Sequence, residues 1–338
     1  MNMKKLACVV SILLCVGCNV TDPVSDQGGV ESVKSGTLSV SVEYESMKTK
    51  APTEYTSELN EEKMIRDVTV LVFDKSTGQL SAYDKLNSLA EEIVFTVSAG
   101  EKTVYVLVNG PDLGSVRNIE QMLQVVDDLN SGKLNDDGLA MLGCEDCYVS
   151  AKNPAEPVVI VRRLAARVVL KKVTNNIPGQ YGKMTVDCVY LGNANLKQSL
   201  SGNVTGMANL NGYADEDMTK PIGKDGEVGA AATYLYRSIG KDIAVGASSD
   251  EKYHMYCHPN DSQNHTCLYL LVTIDGSQYY YRVPLNKGLA ANTTSSVELE
   301  ITNLGYTQPP VGDMQKDAIF ALVNIAGWDA SEEYQVEF

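Results

Sequence analysis

The residues with most capacity for chemistry crowd into one stretch: His254, Cys257, His258, His265 and Cys267, which together hold every histidine of the chain. On a helix, the i,i+4 spacing of His254 and His258 would place two imidazoles on one face, as zinc and copper sites require. Pro259, Asn260 and Asp261 are turn formers, so the stretch reads as a solvated loop closed by a candidate Cys257–Cys267 disulfide rather than as a metal site. Cys144 and Cys147 have the C-x-x-C spacing of redox and metal motifs. No βαβ pattern surrounds them, however, and no second C-x-x-C completes a zinc ribbon. Beyond Cys18 five cysteines follow, an odd number that cannot all pair within one chain.

Hydrolytic chemistry has less support still. There is no G-x-S-x-G, no H-E-x-x-H, no P-loop, and no histidine elsewhere to serve a serine or cysteine nucleophile. Asp127 with Asp128 and Glu332 with Glu333 have the residue type of glycosidase acids, but adjacent carboxylates are far more often a solvated face. The reading is of a non-enzyme with no metal and no cofactor. Arg162, Arg163, Arg167, Lys171 and Lys172 form the one basic cluster; on a strand, Arg163 and Arg167 share a side and Arg162 takes the other. Two readings of it stand: contact with an acidic surface of a neighbouring subunit or domain, or charged strand ends guarding a hydrophobic edge. With 28 Lys+Arg against 43 Asp+Glu, the chain is a poor partner for nucleic acid or anionic lipid. Trp328, the single tryptophan, reads as core, although the 18 tyrosines leave room for an exposed glycan-binding surface.

Delivery to a surface is written at the N-terminus. Lys4 and Lys5 precede an apolar run over residues 6–16 that is too short to span a bilayer, the pattern of a signal peptide. It closes on Leu14-Cys15-Val16-Gly17-Cys18, a small residue before a cysteine, as in bacterial lipoprotein signals. Residues 1–17 are expected to be removed and Cys18 to carry the lipid. Acyl chains contribute about 0.8 kcal/mol per buried CH2, so several hold a chain on a membrane without a transmembrane helix. Loss of two lysines takes the formal charge from −15 to −17.

The elements that follow are mostly strands. Residues 18–36, rich in Ser, Gly, Asp and Val without periodicity, form a tether. Leu38, Val40, Val42 and Tyr44 then alternate with Ser39, Ser41 and Glu43, the period-2 signature of a strand with one buried face. A polar segment over residues 45–63, holding Pro52, Lys48 and Lys50, reads as an exposed, protease-accessible loop. Strands are expected at residues 68–73, 93–98, 103–109, 157–170, 184–191, 267–274, 278–285 and 296–302, with Asp275-Gly276 as a hairpin turn. One helix interrupts them: Ile119, Met122, Leu123, Val126 and Leu129 share a 3.6-period face, with Asn118 and Gln121 as a capping box. Apolar segments at residues 318–325 and 334–338 end the chain. Short strands with turn residues between them predict mainly β architecture, two β-sandwich domains (37–160 and 161–338) with a few short helices.

In order, GTLSVSVEY, VTVLVFD, VSAGEKTVYVLVNG, VRRLAARVVL and a Trp-containing C-terminal strand behind the lipid-site Cys18 resemble the fimbrillin family, the shaft subunits of type V pili from Bacteroidales bacteria. The S-A-G-x-x-T-hydrophobic run at residues 98–104 and the R-x-x-A-R-V run at 163–168 carry the likeness over most of the mature chain. The resemblance implies two transthyretin-like β-sandwich domains, export as an outer-membrane lipoprotein, and a cut in the loop after the first strand. It further implies release of that strand (Leu38, Val40, Val42, Tyr44) and refilling of the groove by a C-terminal strand of another copy, in a cell-surface fimbrium that supports adhesion. Candidate donor positions are Ile319, Ala321, Val323, Ile325 and Val336. Partners would be other copies of the chain, accessory pilus subunits and surface ligands of host or bacterial cells, with the outer membrane before processing. The loop departs from the family in offering Lys48, Lys50 and Lys63 where arginine is usual, and residues 256–260 and 291–295 depart from its second-domain patterns. A minor tip or anchor subunit, or a surface glycan- or metal-binding lipoprotein, are the alternatives.

Overall fold

In the computed structural model, the described residues are 34–44, 59–89, 92–129, 138–203, 232–263, 265–308, 319–327 and 334–337. The signal segment with Cys18, the loop holding Lys48 and Lys50, and Trp328 all lie outside them.

The first half contributes β1 (Ser35–Tyr44), β2 (Val68–Asp74), β3 (Leu80–Leu86), β4 (Ile93–Ser98), β5 (Gly100–Val108), the helix α1 (Ile119–Leu123), β6 (Val126–Asp128), β7 (Met141–Val149) and β8 (Val158–Arg163). Seven of these strands form one sheet in the order β3-β2-β5-β7-β8-β1-β4. Inward residues from both of its ends, Leu38 and Val40 of β1 with Val70 of β2 and Val104 of β5, share a single core, so the sheet wraps around its own apolar face. The run VTVLVFD is buried on both faces: Val68, Val70 and Val72 point into that core, and Leu71 and Phe73 pack on the other side beneath Met122 of α1.

The expected helix is real but stops short. Its cap is formed, with Asn118 Oδ1 accepting the Gln121 N–H at 2.9 Å and Gln121 Oε1 accepting the Arg117 N–H at 2.9 Å. Val126 and Leu129, placed on the helical face by periodicity, instead enter strand β6 and the second core. A mixed apolar spacing was satisfied by a short helix followed by a strand, both with one inward side.

The second half holds β9 (Ala166–Asn175), β10 (Met184–Gly192), β11 (Lys197–Ser199), a helical turn at Ala232–Leu235, β12 (Tyr236–Ile243), β13 (Ser248–Ser249), β14 (Tyr253–Cys257), β15 (Cys267–Ile274), β16 (Ser277–Pro284), β17 (Thr293–Ile301), β18 (Ile319–Gly327) and β19 (Tyr334–Glu337). A four-stranded sheet, β12-β10-β15-β16, faces a six-stranded one in which β14 also pairs with β9 and the path runs β13-β9-β17-β18-β19. Leu268 and Leu270 of β15, Leu170 of β9 and Val297 and Leu299 of β17 lie in the core between them. Asp275 (φ 47°) and Gly276 (φ 77°) make the expected tight hairpin, both residues in the left-handed region that two-residue turns require. A short β11–β6 ladder pairs the two halves.

Residues 157–170 are two strands, not one: β8 ends at Arg163 and β9 starts at Ala166, in different sheets. The His- and Cys-containing stretch is also corrected. His254 and Cys257 lie on β14, paired with Val169 and Ala166 of β9, and only the residues beyond them form a loop. Cys257 and Cys267 are separate buried thiols, the first in the inner core and the second in a cluster with Cys188, Tyr190 and Tyr269, so the expected disulfide is not formed.

Candidate strand-exchange site

Strand β1 lies between two partners. Its first half runs antiparallel to β4, with Leu38 opposite Phe95 and Val40 opposite Ile93; its second half runs parallel to β8, with Val42 opposite Val159 and Tyr44 opposite Val161. The two ladders together keep one face inward: Leu38 and Val40 are fully buried and Val42 packs against the same core. Burying a Val or Leu side chain contributes about 1.5–3 kcal/mol, so β1 is held chiefly by these side chains. Among the described strands β4 pairs with β1 alone, so loss of β1 would leave an apolar trough and two unsatisfied strand edges.

Backbone contacts tighten the seat. Ser39 N–H donates to Ala155 O at 2.8 Å and Ala155 N–H to Thr37 O at 3.0 Å, while the Ser39 hydroxyl donates to the Glu92 carboxylate. Gly36 passes so close to the chain at Ser150 that a Cβ there would meet the Ser150 carbonyl oxygen at 2.2 Å. A side chain is excluded at that point.

The candidate donor positions are occupied within their own chain. β18 pairs with β17 along its whole length, from Ile319 opposite Ile301 to Gly327 opposite Thr293, and Ala321 and Val323 are buried in the second core. Among the described strands β19 ends the sheet on β18, with Val336 opposite Val323 and Tyr334 opposite Ile325.

The loop between β1 and β2 has a firmly held downstream end. Glu62, in a 3-10 turn at Glu61–Lys63, is fully buried, and its carboxylate accepts Arg167 Nη1 at 2.8 and 3.0 Å and the Tyr256 hydroxyl at 2.6 Å. Arg167 Nε in turn donates to Thr294 Oγ1 at 3.0 Å, and Arg163 Nη2 to the Glu62 carbonyl at 3.3 Å. Burial, then the adjacent Glu62 carboxylate, pushes the Tyr256 phenol well above its ordinary range, so it stays a donor. Two members of the basic cluster, Arg163 and Arg167, thus meet Glu62 of their own chain. Sequence reasoning missed Glu62 because it stands in a polar run, ELNEEK, with nothing to distinguish it from its solvated neighbours.

The histidines do not converge. His254 is on β14, and burial with the nearby Arg167, Arg237 and Lys252 lowers its pKa to about 4. His258 is buried with Nε2 3.3 Å from Asp127 Oδ2, and His265 hydrogen-bonds through Nδ1 to Ser262 O. Among the described residues no group of three or more His, Cys, Asp or Glu side chains has metal-binding geometry. None of the described helices is long and apolar enough to cross a membrane.

Residues 36–144 match the family model of the major fimbrial subunit protein FimA. No curated protein sequence matches the chain. Among solved structures, a candidate cell adhesion protein from Bacteroides eggerthii aligns with a TM-score of 0.65 at 18% identity, covering 89% of this chain and 98% of that one. Fimbrilin FimA from Porphyromonas gingivalis aligns with a TM-score of 0.58 at 13% identity over 86% of this chain and 97% of that one. The tip fimbrial protein Mfa3 of the same organism, truncated at its C-terminus, gives 0.53 at 14% identity over 87% and 100%.

Proposed function

We propose that this fimbrillin-family chain is a structural subunit of a cell-surface fimbrium, assembled by exchange of the strand β1 for a strand of another copy. The observation that carries the reading is the seat of β1. It is a self-contained apolar strand flanked by β4 and β8, whose far end leads straight into the polar segment 45–58 with Lys48 and Lys50. A cut there removes the covalent link between β1 and everything downstream. The vacated trough accepts only another strand with an apolar inward face, which Ile319, Ala321, Val323 and Ile325 of the C-terminal segment would supply. In this reading Cys18 is lipidated, the precursor is held on the outer membrane, and the body is two β-sandwich domains divided near residue 160. Adhesion to host or bacterial surfaces follows from the fimbrium, with no catalytic step.

One observation favours a second reading, a tip or anchor subunit. β18 pairs with all of β17 and gives Ala321 and Val323 to its own core, as a subunit that accepts but does not donate would require. The structural likeness to a tip fimbrial protein is consistent with it.

Limited trypsin digestion of the exported chain, run unboiled in SDS, separates these readings. A shaft subunit yields a ladder, since an inserted strand dissociates slowly. A cut chain that stays monomeric removes the shaft reading, and an uncut chain removes processing altogether.

A further inference from the structure

Four basic residues lie between β1 and β2: Lys48, Lys50, Lys63 and Arg66. Lys63 and Arg66 are exposed, as trypsin-like enzymes prefer, yet a cut after either would leave residues 59–63 attached to the wrong fragment. Exposure of a side chain is not sufficient for cleavage, because a protease must draw several residues of backbone into an extended form, and the rate follows the population that opens.

The segment around these two residues is stitched down from several directions. Glu62 is fixed by Arg167 of β9 and Tyr256 of β14, strands that belong to the second core. Its Oε2 also accepts the Leu59 N–H at 2.7 Å, which closes the turn on itself. Two and four residues on, Asn109 Nδ2 donates to Met64 O at 2.7 Å and Asn109 Oδ1 accepts the Arg66 N–H at 2.7 Å. Opening residues 59–66 therefore requires a buried carboxylate to leave a buried guanidinium, and nothing in β1 takes part in these contacts.

We propose that Glu62, through its buried contacts with Arg167 and Tyr256, bears on where this chain is processed: it shields Lys63 and Arg66 from proteases. Glu62 is a positioning residue for the cut, and the new N-terminus stays docked on β9 and β14 after β1 is released. The inference rests on the reading that this loop is processed, and it extends that reading to a determinant of specificity.

The test is a trypsin time course on the full chain, with cut sites assigned by intact mass, for wild type, Glu62→Gln and Tyr256→Phe. Glu62→Gln is expected to raise cutting after Lys63 and Arg66 by about a hundredfold, since one partner of a buried pair is lost, and Tyr256→Phe by less. Cutting after Lys75 and Lys183, exposed basic residues far from the cluster, should not change; a general loosening of the fold would raise all four together. Equal rates at Lys63 and Arg66 in all three proteins overturn the proposal, as does an equal rise at Lys75 and Lys183. If Glu62→Gln fails to fold, hydrogen exchange of the wild type decides. Amides of residues 62–66 should be protected like those of β2, and exchange at free-peptide rates overturns the proposal. Absence of wild-type cutting at Lys48 or Lys50 is a separate result, which defeats processing of the loop but leaves the shield at Lys63 and Arg66 to be judged by its own sites.

Discussion

Nη1 of Arg167 lies 2.8 Å from Oε2 of Glu62, and neither side chain has any exposed surface. The two residues are 105 positions apart and join the start of the first core to the middle of the second. Buried pairs of this kind add little over a well-packed apolar replacement, but loss of one partner strands the other charge. Arg167→Met should therefore cost about 3–5 kcal/mol in urea unfolding, and the double variant Glu62→Leu with Arg167→Met should recover most of it. Additive losses in the cycle would show that the pair is not coupled.

His254 gives the fold a specific acid sensitivity. Its folded pKa of about 4 lies below its ordinary 6.5, so between those values the unfolded chain binds the extra proton. Its contribution is complete above pH 6.5 and is lost as pH falls toward 4. Melting temperature measured from pH 7.5 to 4 should fall more steeply in the wild type than in His254→Gln; parallel profiles would remove His254 as the cause. Asp74, held far below the ordinary carboxylate range by the Ser76 hydroxyl and Lys102, adds a loss at lower pH still.

The thiols should be independent of one another. Cys257 and Cys267 face different clusters across the sheets, and burial pushes the Cys257 thiol up to about 12. Such a thiol is slow to react. Melting in the presence and absence of dithiothreitol should be the same, and thiol-specific labelling of the folded chain should spare Cys257. A reducible band shift would restore the disulfide.

Strands with a two-residue alternation, such as Leu38 to Tyr44, were legible because burial on one face leaves a direct trace in the sequence. The same holds for the Asp275-Gly276 hairpin. Illegible were β3, β7 and β12, whose polar sequences LSAYDKL, MLGCEDCYV and YRSIGKDI form strands through ladder hydrogen bonds and packing against better-defined neighbours. Of the site, β1 could be read from sequence but its split pairing could not. That pairing depends on β8, more than a hundred residues away. Glu62 and Arg167 were recognisable as charges only; their union is a product of the tertiary fold.

Gly36 provides a test of how tightly β1 must fit. With the Ser150 carbonyl oxygen 2.2 Å from where a Cβ would stand, Gly36→Val should push the start of β1 away from residues 149–150. Faster cutting in the downstream loop and faster exchange of the β1 amides are expected, with β9 and β17 unaffected. Unchanged exchange in β1 would mean that the backbone accommodates the side chain at no cost.

The two C-terminal strands predict different outcomes for strand donation, because only β18 is shown to serve its own core. Val323 is 2% exposed and stands opposite Val297, so Val323→Asp buries a carboxylate in the subunit itself and should lower its stability by several kcal/mol before assembly is considered. Val336 lies on β19, which pairs with β18 and has no further strand beyond it among those described. If the β19 end of the chain initiates exchange, Val336→Asp should abolish the SDS-resistant ladder after cutting, because it places a carboxylate on the inserted strand. Deletion from residue 318 onward should remove the ladder as well, but at a large cost in monomer stability, since β17 keeps β9 but loses β18, and Ala321 and Val323 leave the core that holds Val297 and Leu299. Should Val336→Asp polymerise normally while Val323→Asp folds yet does not, donation belongs to β18 and requires its withdrawal from the second core. If neither variant alters the ladder, the C-terminal segment is not the donor, and the subunit is joined to its neighbours by another surface.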